Sequence, residues 1–256
     1  VERGGALIAW TVAPATEPWT PFRLVGAHTD SPNLRLKPHP DLHGAGWAQL
    51  GVEVYGGALW NSWLDRDLGL SGRLAVADGP DRVREVLVRV DEPLARIPQL
   101  AIHLERGVNE TGLKLNPQVH LAPVWGAGPA ARTDVIAFLA GRAGVLPDQV
   151  LGWDVMLHDL TAPSRLGGLG ELVSSARLDN LVSCWAATRA LVDAATAGVE
   201  PRYVAVVSLS GNPATRLGPT TDRVYANRAI DALALQDSTA IGDALSHPVV
   251  VHEAVE

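Results

Sequence analysis

Residues 23–38 read RLVGAHTDSPNLRLKP. A short apolar strand over 23–27 runs into His28, Thr29 and Asp30, and Ser31-Pro32 stops it. Side chains at i and i+2 on an extended chain point to one side, so His28 and Asp30 can face a single cavity from the strand end. In open α/β sheets that end is where ligands bind. An imidazole offers a metal a neutral nitrogen, and a nearby carboxylate can orient it or polarise a water. The plainer reading makes His28 a loop histidine and Asp30 an Asx-turn residue before Pro32. Spacing alone does not choose between them.

The pattern on either side sets the frame. Residues 6–11 read as a strand, joined to 23–27 by a Pro-rich connection. From about 47 to 90, short β-rich runs (WAQLGVEVYGG, GRLAVADG, REVLVRV) are separated by Gly, Asp and Pro, as in a sandwich or barrel-like unit. The spacing over 133–144 predicts a helix capped by Thr133 or Asp134, and 150–160 returns to strand. The clearest helix is 176–198, where Leu178, Leu181, Val182 and Trp185 share one face and Gly198 is a natural stop. A buried strand follows over 203–210. The order implies an α/β domain interrupted by an inserted β-rich domain. Residues 1–36 and 165–256 would form the partial α/β domain and 37–164 the insertion, with GAGPAA (126–131) a short linker.

Bulk composition narrows the class. The 256 residues are 47% hydrophobic, enough for a sizeable core, and the formal charge of −7 argues against a nucleic-acid or anionic-membrane partner. The single cysteine, Cys184, excludes a disulfide framework within the chain and a cysteine-based zinc knuckle, which fits a reducing, cytoplasmic setting. No apolar run approaches a membrane span. The start, VERGGALIAW, lacks the charged-then-apolar order of a signal peptide; it begins on Val1 inside a β-like pattern, so the true start is expected upstream.

Other candidates carry two readings each. Asp179 opens the strong helix, where a first-turn carboxylate suits the helix dipole but could also bridge two metals. His103 stands alone in IPQLAIHLERGVNE (97–110), which reads as an apolar strand; there a histidine is more often a core residue than a ligand. Asp65, Arg66 and Asp67 read as a salt-bridged surface turn. Serine-hydrolase elbows, Walker A loops, dinucleotide fingerprints and His-Glu-x-x-His helices are all missing.

Taken in order, GAHTDSPNLRLKP, VEVYGGALWNSWLDRDLGLSGRL, IPQLAIHLERGVNE, LKLNPQVHLAPVWG and ARLDNLVSCWAA resemble the aspartyl aminopeptidase-like family of zinc metallopeptidases over roughly residues 4–208. The resemblance implies a zinc-aminopeptidase α/β domain with an inserted β-rich dimerisation domain, assembled into homo-oligomers built from dimers. It implies removal of an N-terminal residue, acidic in some members, from peptides at a site with two zinc ions about 3.5–4 Å apart that share a water. By motif, His28 would be a zinc ligand, Asp30 the carboxylate orienting its ring, and Asp179 the bridge between metals. His103 would contact substrate, from a partner subunit, or serve as a metal ligand.

The pattern breaks after the 203–210 strand. The family continues into an Asp-(Asn/His)-Glu-Glu segment, with one glutamate as general base and the next as ligand. Here Asn212, Pro213 and Ala214 stand near those positions, and no glutamate occurs between Glu200 and Glu253. Asp243 and His247 lie in surroundings unlike the later ligand segments and read as surface residues. A frame change or a truncated gene would produce such a break. The alternative function is therefore a catalytically incompetent relative or fragment that only self-associates through its β-rich domain.

Overall fold

The structure, a computed structural model, describes residues 2–3, 5–11, 23–128, 134–197 and 204–208. In chain order its elements are β1 (Glu2–Arg3), β2 (Ala6–Trp10), β3 (Arg23–Ala27), β4 (Asn33–Gly44), β5 (Trp47–Tyr55), β6 (Leu68–Ala77) and β7 (Val83–Ala95). There follow α1 (Val108–Thr111), α2 (Pro117–His120), β8 (Val124–Ala127), α3 (Val135–Ala143) and β9 (Val150–Asp159). The last are β10 (Ser164–Leu166), β11 (Leu172–Ser174), α4 (Leu178–Thr196) and β12 (Val204–Ser208). The chain is mixed α/β with a large antiparallel sheet, and it divides into two compact units: Val1–Ser31 with Arg177–Glu256, and Pro32–Ala176. Residues 32–36 and 165–176 fall to the second unit.

The second unit is built on six strands in the order β7-β6-β9-β4-β5-β8, each pair antiparallel. Alternation puts Leu68, Leu70, Leu74 and Val76 of β6 on one face with Leu50 of β5 and Val155 and Leu157 of β9. Val135 and Leu139 of α3 complete this core. Each fully buried aliphatic side chain contributes roughly 1.5–3 kcal/mol relative to exposure. Asp134 caps α3, accepting from the N–H groups of Ile136 and Ala137 at 2.8 and 2.9 Å, and Gly144 closes it in the left-handed conformation at φ 68°. The other face of the sheet carries ion pairs: Arg35 and Arg73 both pair with Asp154, at 2.9 and 3.2 Å, and Arg73 reaches Glu85 at 3.3 Å. Gly72 allows close approach in this sheet, since a Cβ there would lie 2.1 Å from the Asp154 carbonyl oxygen.

Two expectations change here and one strand is added over 33–44, where Pro38 and Pro40 lack a ladder donor. β4 runs through both, and its register with β5 shifts between Leu36 and Asp41, which accommodates them. His103 is not on a strand: residues 102–104 form an exposed turn, with Leu104 N–H bonded to Ala101 O at 2.8 Å. Ile97 makes only an isolated bridge to Leu64, and Pro98 follows directly with no N–H to continue it. Gly126 and Ala127, read as linker, end β8 and pair with Ala48 and Trp47.

In the first unit the sheet order is β1-β2-β12-β3, with β12 antiparallel to β2 and parallel to β3. β3 and β12 end side by side, Ser208 opposite Ala27. α4 packs against both strands. Its less exposed residues include Cys184, Ala187, Thr188 and Leu191, spaced i, i+3, i+4 and i+7. The larger residues expected to face inward, Leu178, Leu181, Val182 and Trp185, are exposed. Asp179 and Asn180 have non-helical backbone angles, which takes Leu178 out of phase with the helix, and the seam instead runs along mostly small residues to the buried Leu191. Gly198, Asn212, Pro213, Ala214, Asp243 and His247 lie outside the described residues. Among the described residues no helix is long and apolar enough to cross a membrane.

Candidate metal centre

His28 leaves the carboxyl end of β3, and Asp179 sits at the entry to α4. Both belong to the first unit, as does Asp30. The His28 ring is mostly buried. Its Nδ1 lies 3.0 Å from the Asp30 carbonyl oxygen and 3.3 Å from Asp30 Oδ1. Both neighbours are acceptors, and the shorter contact is at Nδ1, so the neutral tautomer that satisfies it has its proton there and donates. Nε2 then presents its lone pair, and it faces Asp179 Oδ1 at 3.6 Å. Two electron-pair donors at that separation favour a cation between them. Two ligands on a tetrahedral zinc, with bonds of about 2.0–2.1 Å, are about 3.4 Å apart. The pair fits as part of a zinc ligand set, and the carboxylate behind the imidazole is the usual support for a metal-binding histidine. Asp179 is 94% exposed at its side chain, open to a further contact. Among the described residues no group of three or more His, Cys, Asp or Glu side chains converges to hold a metal.

The loop carrying His28 is tied at several points. Cys184 Sγ donates to the His28 carbonyl at 3.2 Å. Burial pushes the Cys184 thiol up, which keeps it in the S–H form needed for that donation. Thr29 Oγ1 donates to Gly5 O at 2.9 Å. Arg177 donates to Thr29 O through Nη2 and to Ser31 Oγ through Nε at 3.3 Å. Sequence spacing missed Arg177 and Cys184 as site residues; their contacts reach back across 146 to 156 positions, and no periodicity carries that. His103 lies in the second unit, exposed on its turn. Asp65, Arg66 and Asp67 form the expected surface turn: Arg66 pairs with Asp159, and Arg96 reaches Asp67 at 3.4 Å.

A family model described as "Aminopeptidase I zinc metalloprotease (M18)" matches residues 1–212. A curated relative, "Probable M18 family aminopeptidase 2" of Streptomyces avermitilis, is 54% identical over 209 residues, covering 81% of this chain and 48% of its own length. The chain spans about half the length of the curated relatives it matches. Among solved structures, mApe1 of Chaetomium thermophilum aligns with a TM-score of 0.72 at 25% identity, over 99% of this chain and 60% of that one. The mApe1 dodecamer of S. cerevisiae aligns with a TM-score of 0.67 at 22% identity, over 91% and 54%, a likeness of fold.

Proposed function

The chain belongs to the aminopeptidase I zinc metalloprotease (M18) family, and from that premise we propose that it serves metal-dependent removal of the N-terminal residue of peptides, at a dinuclear zinc site of which it supplies one side. The supporting observation is the His28 ring, held by Asp30 on one nitrogen and facing Asp179 with the other. In this reading His28 and Asp179 would hold the metal, with the exposed carboxylate of Asp179 free to serve a second. Bound there, zinc would supply Lewis acidity toward a scissile carbonyl and toward water. Asp30 keeps the His28 proton on Nδ1, so that Nε2 stays an electron-pair donor, and it raises the basicity of the ring. His103, exposed on its turn and flanked by the exposed Ile102 and Leu104, is assigned a substrate contact made from a neighbouring subunit.

The β-rich unit Pro32–Ala176 is assigned to self-association, consistent with a dodecameric relative. An acidic N-terminal residue as preferred substrate, and a cytoplasmic setting, belong to the same proposal. The test is zinc content by elemental analysis, with hydrolysis of N-terminal Asp and Glu chromogenic substrates beside it. Bound zinc with chelator-sensitive turnover supports the reading. No zinc and no turnover overturn it and leave self-association as the activity of this chain.

A further inference from the structure

Arg177 precedes α4 with φ 62° and ψ 21°, in the left-handed region that non-glycine residues seldom occupy. Held there, its guanidinium turns back onto the 28–31 loop and bonds both Thr29 O and Ser31 Oγ. Two residues further on, Asp179 faces His28. The loop that carries one candidate ligand is thus fastened to the segment that carries the other.

The remaining ties act differently. Asp30 sets the rotation of the His28 ring but sits on the same loop, so it cannot fix that loop's distance from Asp179. Cys184 does link the loop to α4, through one thiol donor, which is weak. Arg177 supplies two donors from a rigid, permanently charged fork. We propose that Arg177 is the positioning residue of the metal centre, setting the separation of His28 Nε2 and Asp179 Oδ1 by clamping loop 28–31 to the entry of α4. The assignment rests on the reading of these two atoms as metal ligands.

Two variants of the full chain test it. Arg177→Gly removes the fork but accepts the left-handed backbone at no steric cost, so the fold is not strained by the change. Arg177→Lys keeps the charge without the fork. Zinc affinity is read by chelator competition, coordination by the visible spectrum of the cobalt(II)-loaded protein, and the loop by amide hydrogen exchange at residues 28–31 without metal. Arg177→Gly is expected to bind zinc about 10–100-fold more weakly, as loss of an outer support does at metal sites. Its cobalt spectrum should change, exchange at the loop should quicken and the melting temperature should hold. Arg177→Lys should fall between the two. Wild-type zinc affinity and an unaltered cobalt spectrum in Arg177→Gly overturn the proposal. A wild-type chain that binds no zinc refutes the metal reading separately. Loop exchange then decides the clamp, and exchange unchanged by Arg177→Gly overturns it.

Discussion

In the unit Pro32–Ala176, Leu34, Leu50, Leu68, Leu70 and Leu74 are fully buried beneath one face of a six-stranded sheet. In the unit holding His28 and Asp179, Leu24 and Val25 on β3 are 47% and 44% exposed, and Trp185 on α4 is 69% exposed. Among the described residues its buried apolar side chains are Ala6, Ile8, Ala27 and Leu191. Among the described residues, one unit is held by apolar packing, and the other places its candidate chemistry on a loop and a helix entry joined by polar ties. The difference separates two kinds of mutational cost. Truncation in the sheet unit should cost stability, and loss of a tie in the site unit should cost geometry first.

The largest effect expected is on stability. Leu70→Ala, at a fully buried position, should lose about 2–5 kcal/mol in denaturant unfolding. Leu24→Ala, at a half-exposed one, should lose less than about 1 kcal/mol. Equal losses would erase the contrast between the units. Next is Asp30→Asn, which keeps the carbonyl that Nδ1 of His28 bonds but removes the carboxylate charge 3.3 Å from it. Zinc affinity measured by chelator competition should fall about 10–100-fold, with the unfolding midpoint little changed. A fall in stability without a change in affinity would make Asp30 a structural residue only.

Much of this was legible in the sequence where one local rule decided the outcome. Asp134 opens α3 because a carboxylate before an apolar-periodic run satisfies free N–H groups, and β6 and β9 follow from alternation. β4 was not, because the shift that admits Pro38 and Pro40 depends on the partner strand. The seam of α4 was hidden because the large apolar residues at its start, Leu178, Leu181, Val182 and Trp185, share a face, while the helix seats itself on Cys184, Ala187, Thr188 and Leu191. At the site, the His28–Asp30 pair could be read from i, i+2 spacing, and Asp179 came from the family motif. Arg177 has no local signature, since its partners Thr29 and Ser31 are distant in sequence.

A smaller effect sits at the start of α3. Asp41 accepts from the Val135 N–H at 3.0 Å and is raised above the usual carboxylate range, burial being the main cause, with the Val135 bond acting against it. A raised folded value means that the native state holds the proton more tightly than the unfolded chain. This carboxyl therefore favours folding below its unfolded value of about 3.9, and the benefit is lost as pH rises through the folded value. Asp41→Asn keeps an acceptor for Val135 without the buried charge. It should leave stability at pH 7 unchanged or slightly higher, while Asp41→Ala should cost about 1–3 kcal/mol. Unfolding curves of both variants at pH 4 and pH 7 check the sign; a loss for Asn at pH 7 equal to that for Ala would refute it.

The smallest expected effect bears most directly on the contrast between the units. Trp185→Ser replaces a large indole, but one 69% exposed on the outer side of α4. If that side meets solvent, stability should change by no more than about 0.5 kcal/mol, because little apolar area is lost from the interior. If it is covered in solution, the same change removes a contact and costs several times more, and the cost would depend on protein concentration if the cover is another chain. Unfolding midpoints of wild type and Trp185→Ser at two concentrations separate the cases. A neutral result keeps α4 seated through the face of Cys184, Ala187, Thr188 and Leu191, and a costly one means that the exposed stripe Leu181, Val182 and Trp185 is a second seam.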